Sequence, residues 1–132
     1  MQVGSKEWME NFQEAVNTDQ ELNVIGKYCV TDLLLQIGAK EYIVQIKQGK
    51  LTNFFEKGAL DGWSFAIRGS LEAWEKFTQP IPPPMFHELF AAVFQGNLQL
   101  EGNLKELYAN LRYMIRFLDV TREVKNKLVK GV

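Results

Sequence analysis

The sequence predicts an α+β protein of two layers, a five-stranded, mainly antiparallel sheet covered on one face by helices, and three observations lead there. Between Tyr28 and Arg68 the apolar residues recur with a period of two, as strands require. On either side, Trp8 to Val16 and Phe86 to Leu118 carry stripes at helical spacing. Between two glycines, Gly96 and Gly102, the alternating run Leu98-Gln-Leu-Glu101 is long enough for only one short strand.

Taken in chain order, Ser5 is a cap residue ahead of Trp8, Met9, Phe12, Ala15 and Val16, which share one face of a first helix. Thr18-Asp-Gln-Glu21 has capping-box spacing and predicts a short second helix. Cys29, Thr31, Leu33, Leu35 and Ile37 then alternate with Val30, Asp32, Leu34 and Gln36. Gly38-Ala-Lys40 predicts a hairpin into strand 41–47, and Gln48-Gly49 a two-residue turn into strand 50–55. After Gly58 to Gly62, Trp63, Phe65 and Ile67 share one face opposite Ser64, Ala66 and Arg68. Four successive antiparallel strands are expected from this stretch.

Ser70 caps a short helix with Leu71, Trp74 and Phe77 inward. Pro80 and Pro82 to Pro84 make a stiff connector, read as a spacer in preference to a ligand for peptide-binding modules. Phe86, Leu89, Phe90, Val93 and Phe94 form the wide stripe of the next helix, which Gly96 ends. Leu98 and Leu100 supply a fifth strand at the sheet edge. A terminal helix then returns with Leu104, Leu107, Tyr108, Leu111, Met114, Ile115 and Leu118 on one side and Tyr113 and Phe117 on the other. Apolar residues around so much of its circumference leave three covers open: ordinary core, the wall of a ligand space, or a second protomer.

Composition narrows the function. The 132 residues are expected to form a single domain, 1–132, with 46% apolar and 23% charged residues. Nine Phe, three Trp and four Met provide bulk enough to line a cavity. A net charge of −1 argues against nucleic acid as a partner, because phosphate binding needs concentrated basic surface. With one Cys and one His, a zinc or redox site lacks ligands, so no metal and no cofactor are expected. Cys29 reads as a core residue. No serine elbow or glycine-rich phosphate loop occurs, and His87 lies at the boundary of its helix stripe, so no catalytic residue is expected. Asp19, Glu21, Glu72 and Glu75 suit helix starts, and Tyr28 and Tyr42 read mainly as surface or core-rim residues. Without a signal peptide pattern or a long apolar run, the expected location is the cytoplasm.

The block FAAVFQGNLQLEGNLKELYANL (90–111) resembles the sterol carrier protein type 2 family, with its apolar helix, glycine, short strand, glycine and Asx-capped helix. DGWSFAIRGSLEAWEKF (61–77) is similar to that family's fourth strand and following helix. Glu101 and Asn103 stand where the family often has a basic residue and Asp, and Pro80 to Pro84 replace a glycine turn. The resemblance implies an apolar tunnel between sheet and helices that holds a lipid-like ligand such as a fatty acyl chain, sterol-like or isoprenoid molecule. It implies a non-enzymatic binding or carrier domain; the alternative is an interaction or dimerisation domain, or an accessory subunit of an enzyme with a vestigial cavity. Expected lining residues are Trp63, Phe65, Phe86, Phe90, Phe94, Leu111, Met114 and Phe117. A homodimer is a further expectation. At the tail, Tyr113, Phe117, Val120, Val124 and Leu128 make a stripe beside Arg116, Arg122, Lys125, Lys127 and Lys130. This basic C-terminal helix either packs on the domain or makes transient contact with an anionic membrane.

Overall fold

A computed structural model describes residues 2–79, 92–93 and 96–124. Helices α1 (Lys6–Thr18) and α2 (Gln20–Ile25) precede strands β1 (Val30–Ile37), β2 (Lys40–Lys47), β3 (Lys50–Glu56) and β4 (Phe65–Gly69). Helix α3 (Leu71–Phe77), strand β5 (Leu98–Gly102), helix α4 (Leu104–Ala109) and helix α5 (Leu111–Asp119) follow.

Local chemistry sets these boundaries. The Ser5 hydroxyl accepts from the Trp8 amide and the Ser70 hydroxyl from the Ala73 amide, so both serines cap as the sequence predicts. The second helix is capped by Asp19, whose carboxylate accepts from the Leu22 amide, and not by Thr18. Gln48 and Gly49 both take positive φ, 51° and 79°, the conformation of a tight hairpin turn whose twist matches its strands.

The strand order is β3-β2-β1-β4-β5. Strands β1 and β2, β2 and β3, and β4 and β5 pair antiparallel, whereas β1 and β4 pair parallel, Leu33 opposite Phe65 and Ile37 opposite Gly69. The expectation of four successive antiparallel strands is therefore corrected: β4 passes β3 and β2 and docks on the free edge of β1. Alternation identifies a strand by its two faces but carries no information about which edge it joins.

On the inner face Cys29, Thr31, Leu33, Leu35 and Ile37 are all buried, as are Tyr42, Val44 and Ile46 beside them. They join Trp8, Met9, Phe12 and Val16 of α1 and Tyr113, Met114, Phe117 and Leu118 of α5 in one continuous core. The outer face is mostly polar. A small second cluster there holds Leu34, Ile43 and Ala66 under Phe55 and Trp63.

Candidate functional site

The interior between sheet and helices is the place to test the expected lining. Phe65, the first residue of β4, is fully buried on the inner face, and Met114 and Phe117 of α5 are fully buried above it. Leu111 is half-buried against the same core. These four residues come together. Phe86, Phe90 and Phe94 lie outside the described residues, as do His87, the proline connector, Leu128, Lys125, Lys127 and Lys130.

Trp63 is corrected. Its ring belongs to the outer-face cluster and lies 5.7 Å from the Arg68 guanidinium, with Gly102 beneath it. The alternation Trp63, Phe65, Ile67 assumes one strand, but β4 starts only at Phe65 and Trp63 sits in the irregular segment ahead of the bend at Ser64, free of the strand's two-residue period.

The terminal helix is also corrected, from one element to two. Asn110 breaks it with φ −112° and ψ 28°, and the turn lets α5 rotate relative to α4. Tyr108 thereby ends up half-exposed, while Tyr113 and Phe117, expected opposite the main stripe, point into the core. Phe12 links them to α1: its ring meets Phe117 edge-on at 5.0 Å and stacks on Trp8 at 5.3 Å, and Tyr113 stacks on Phe117 at 5.8 Å. An aromatic row thus spans the helical layer, each pair contributing about 0.5 to 1.5 kcal/mol beyond burial. Val120 and Val124 are buried too, so the described part of the tail stripe packs on the domain, as one of the two readings of the tail expected.

Two polar ties hold α5 in place. The Tyr113 hydroxyl donates to the Gly49 carbonyl at 2.8 Å, beneath a close approach of Gly26 to Gly49. Arg116 reaches Asp19 at 2.6 Å, Glu21 at 3.0 Å and Glu123 at 3.1 Å. The guanidinium hydrogen bond holds the Asp19 carboxyl below its ordinary range. Tyr42 donates its hydroxyl to the Gly4 carbonyl at 2.6 Å, which commits it to the fold, while Tyr28 is exposed. Burial, followed by the charge of Glu106, pushes the Cys29 thiol up to about 11. That thiol is a core group, as expected.

Away from this interior, an open cleft of about 520 Å³ lies at the end of the sheet between Gln36, Arg68, Ser70, Asn97 and Gln99. Amides, a hydroxyl and a guanidinium line it, a poor match for an acyl chain. Arg68 is already held there by Glu41 at 2.6 Å and Glu101 at 2.6 Å. Among the described residues no cluster of His, Cys, Asp and Glu could hold a metal ion, and no helix is long and apolar enough to cross a membrane.

No family model matches the chain, and no curated protein matches it with significance. Solved structures do. A crystal structure of sterol carrier protein 2 superposes with a TM-score of 0.76 at 14% identity, covering 92% of this chain and 98% of that one. A conserved hypothetical protein from Thermus thermophilus gives 0.73 at 17% identity, over 94% and 90% of the two chains. A UbiJ-SCP2 ubiquinone synthesis protein gives 0.58 at 10% identity over 85% of each. Sequence identity this low carries the architecture alone, and on that ground the chain has the sterol carrier protein 2 fold.

Proposed function

We propose that this protein binds a lipid-like molecule between its helical layer and the inner face of its sheet, as a carrier or binding domain without catalytic chemistry. The observation that carries the proposal is the convergence of Phe65, Leu111, Met114 and Phe117 on one apolar interior, in a fold shared along nearly its whole length with sterol carrier protein 2. Phe86, Phe90 and Phe94, expected from the sequence as further lining, lie outside the described residues and belong to the proposal on sequence grounds alone. Trp63, on the outer face, has no part in it. Each large apolar side chain withdrawn from water contributes about 1.5 to 3 kcal/mol, so a handful of such contacts suffices to hold an alkyl chain.

Native mass spectrometry of gently purified protein is expected to show a co-purifying amphiphile, and a fluorescent lipid is expected to bind and to be displaced by unlabelled lipids. A clean protein that binds none of them would refute the carrier function.

A further inference from the structure

The inner face of the sheet has two ends along its strands, and they are closed in different ways. At the end marked by the β2–β3 turn, backbone packs on backbone. A Cβ on Gly26 would fall 2.7 Å from Gly49 Cα, the Cys29 amide donates to the Gly26 carbonyl at 2.8 Å, and the Gly49 amide donates to the Cys29 carbonyl at 3.2 Å. Tyr113, 2% exposed, lies over Gly26 and donates its hydroxyl to the Gly49 carbonyl at 2.8 Å. Arg116 fastens the same stretch of α5 to Asp19 and Glu21. Opening this end means parting two turns and a helix that hold one another.

At the end marked by the β1–β2 turn, the closing piece is one turn of chain, residues 2–5, ahead of α1. The Ser5 amide donates to the Gln2 carbonyl at 3.1 Å and closes the turn, and Val3, 4% exposed, is the side chain it lends to the core. Gly4 takes φ 85° and lies so close to Ile37 that a Cβ would fall 2.6 Å from its Cγ2. Glycine alone suits both that angle and that approach. Among the described residues, one side-chain hydrogen bond ties the turn to the sheet, from the Tyr42 hydroxyl to the Gly4 carbonyl at 2.6 Å. Burial, followed by the charge of Glu56, raises the pKa of this phenol, so it keeps its proton and donates. Ile37 and Tyr42 both belong to the buried inner face, so the turn covers the end of the space assigned above to a ligand.

The surroundings of the two ends differ as well. A groove of about 180 Å³ runs between residues 2–5 and Gly38, Ala39 and Leu71. Gly38 and Leu71 also line the open cleft of about 520 Å³ that carries Gln36, Arg68, Asn97 and Gln99, and Leu71 packs against the main core. Apolar interior, covering turn and polar cleft thus follow one another at this end. An amphiphile requires that order, because its alkyl chain gains by leaving water whereas its head group loses unless polar partners receive it.

We infer that residues 2–5 are a latch on the mouth of the interior, and that breaking the Tyr42–Gly4 hydrogen bond lets the turn swing off Ile37 to admit or release a lipid chain whose head group rests in the adjoining polar cleft. This rests on the carrier function proposed above and locates its entrance. A latch that leaves the bound ligand untouched sets the rates of entry and exit together and leaves their ratio alone.

The test is stopped-flow fluorescence on the full chain, measuring uptake of a pyrene-labelled fatty acid from solution and its release to excess phosphatidylcholine vesicles. Tyr42→Phe is expected to speed both by about fivefold, the factor that one ordinary buried hydrogen bond allows, with the dissociation constant held within about twofold. Tyr113→Phe removes the same kind of bond, hydroxyl to glycine carbonyl, at the opposite end and should leave both rates at the parent value. That control separates a latch from general loosening of the fold. Gly4→Ala, which drives the turn off Ile37, should also speed exchange, and it stands in if Tyr42→Phe fails to fold. Parent-like rates in the folded latch variants, or a Tyr113→Phe protein as fast as Tyr42→Phe, would overturn the latch while leaving the carrier function standing. A parent protein that binds neither the pyrene-labelled fatty acid nor a fluorescent sterol would overturn both.

Discussion

Replacing Gly26 by alanine isolates the tie that holds α5 over the sheet. Gly26 has φ −92°, so alanine meets no conformational penalty, and the effect is one of space. A Cβ built there falls 2.6 Å from Tyr113 Cδ2 and 2.7 Å from Gly49 Cα, about 1 Å inside ordinary carbon contact. Neither neighbour yields easily. Gly49 is the second residue of the β2–β3 turn, and the ring is anchored by its hydroxyl on the Gly49 carbonyl at 2.8 Å. Overpacking costs about 1 to 3 kcal/mol and loss of the buried hydrogen bond about 1 more, giving a destabilisation of roughly 2 to 4 kcal/mol. For a domain of this size that is a fall in melting temperature on the order of 10 °C. Urea unfolding measures it, with Tyr113→Phe expected to lose only the hydrogen-bond part, about 1 kcal/mol. In the double variant Gly26→Ala with Tyr113→Leu, the two effects should fall short of additive because the ring is no longer there to be pushed. A Gly26→Ala protein within about 0.5 kcal/mol of the parent would show that the turn and ring relax freely, and the tie would have no structural role.

Three other outcomes are expected. Arg116→Met strips Asp19 of its cation and should destabilise by about 2 kcal/mol near neutral pH, as hydrogen bonds to charged groups typically contribute. Because the Asp19 carboxyl is held below its ordinary value, that stabilisation is full above about pH 4 and lost as pH falls through the folded-state value, so acid titration of parent and variant should converge. Cys29, buried and with its thiol raised to about 11, should resist alkylation at about pH 8 until urea unfolds the chain, and rapid labelling of the native protein would contradict its placement. Trp63→Ala should weaken stability but leave lipid affinity unchanged, whereas Phe65→Ala should lower both. Equal losses of affinity would count against the assignment of the two faces.

Much of the fold is legible in short-range chemistry. The alternation from Cys29 to Ile37, the Gln48-Gly49 turn and the serine caps each depend on residues within a few positions of one another, and each forms as expected. What the residues do not encode locally is harder to see. The docking of β4 on β1 is settled by which edge lies free once β2 and β3 have folded back, a property of the whole sheet. Trp63 matches the strand period by coincidence, since the ladder starts two residues later. The stripe from Leu104 to Leu118 fits an unbroken helix, and only Asn110, a residue at ease outside helical geometry, hints at the break that turns Tyr113 and Phe117 inward. Of the proposed lining, Phe65, Leu111, Met114 and Phe117 were readable as apolar positions at strand and helix spacing.

The parallel seam between β1 and β4 also orders events in time. Strands β1 to β3 are joined by two-residue turns and can zip together as a local meander, whereas Leu33 waits for Phe65 from far along the chain. Closing that longer loop carries an entropic penalty that only an existing edge can repay, so the meander acts as the template and β4 adds to it. Strand β5 pairs with β4 alone, and α4 and α5 follow it in the chain. The side of the interior built from β4, β5, α4 and α5 is therefore expected to form after the meander. In a native protein that opens by partial unfolding, it is also the part expected to leave first, with the three-stranded meander still intact beneath it.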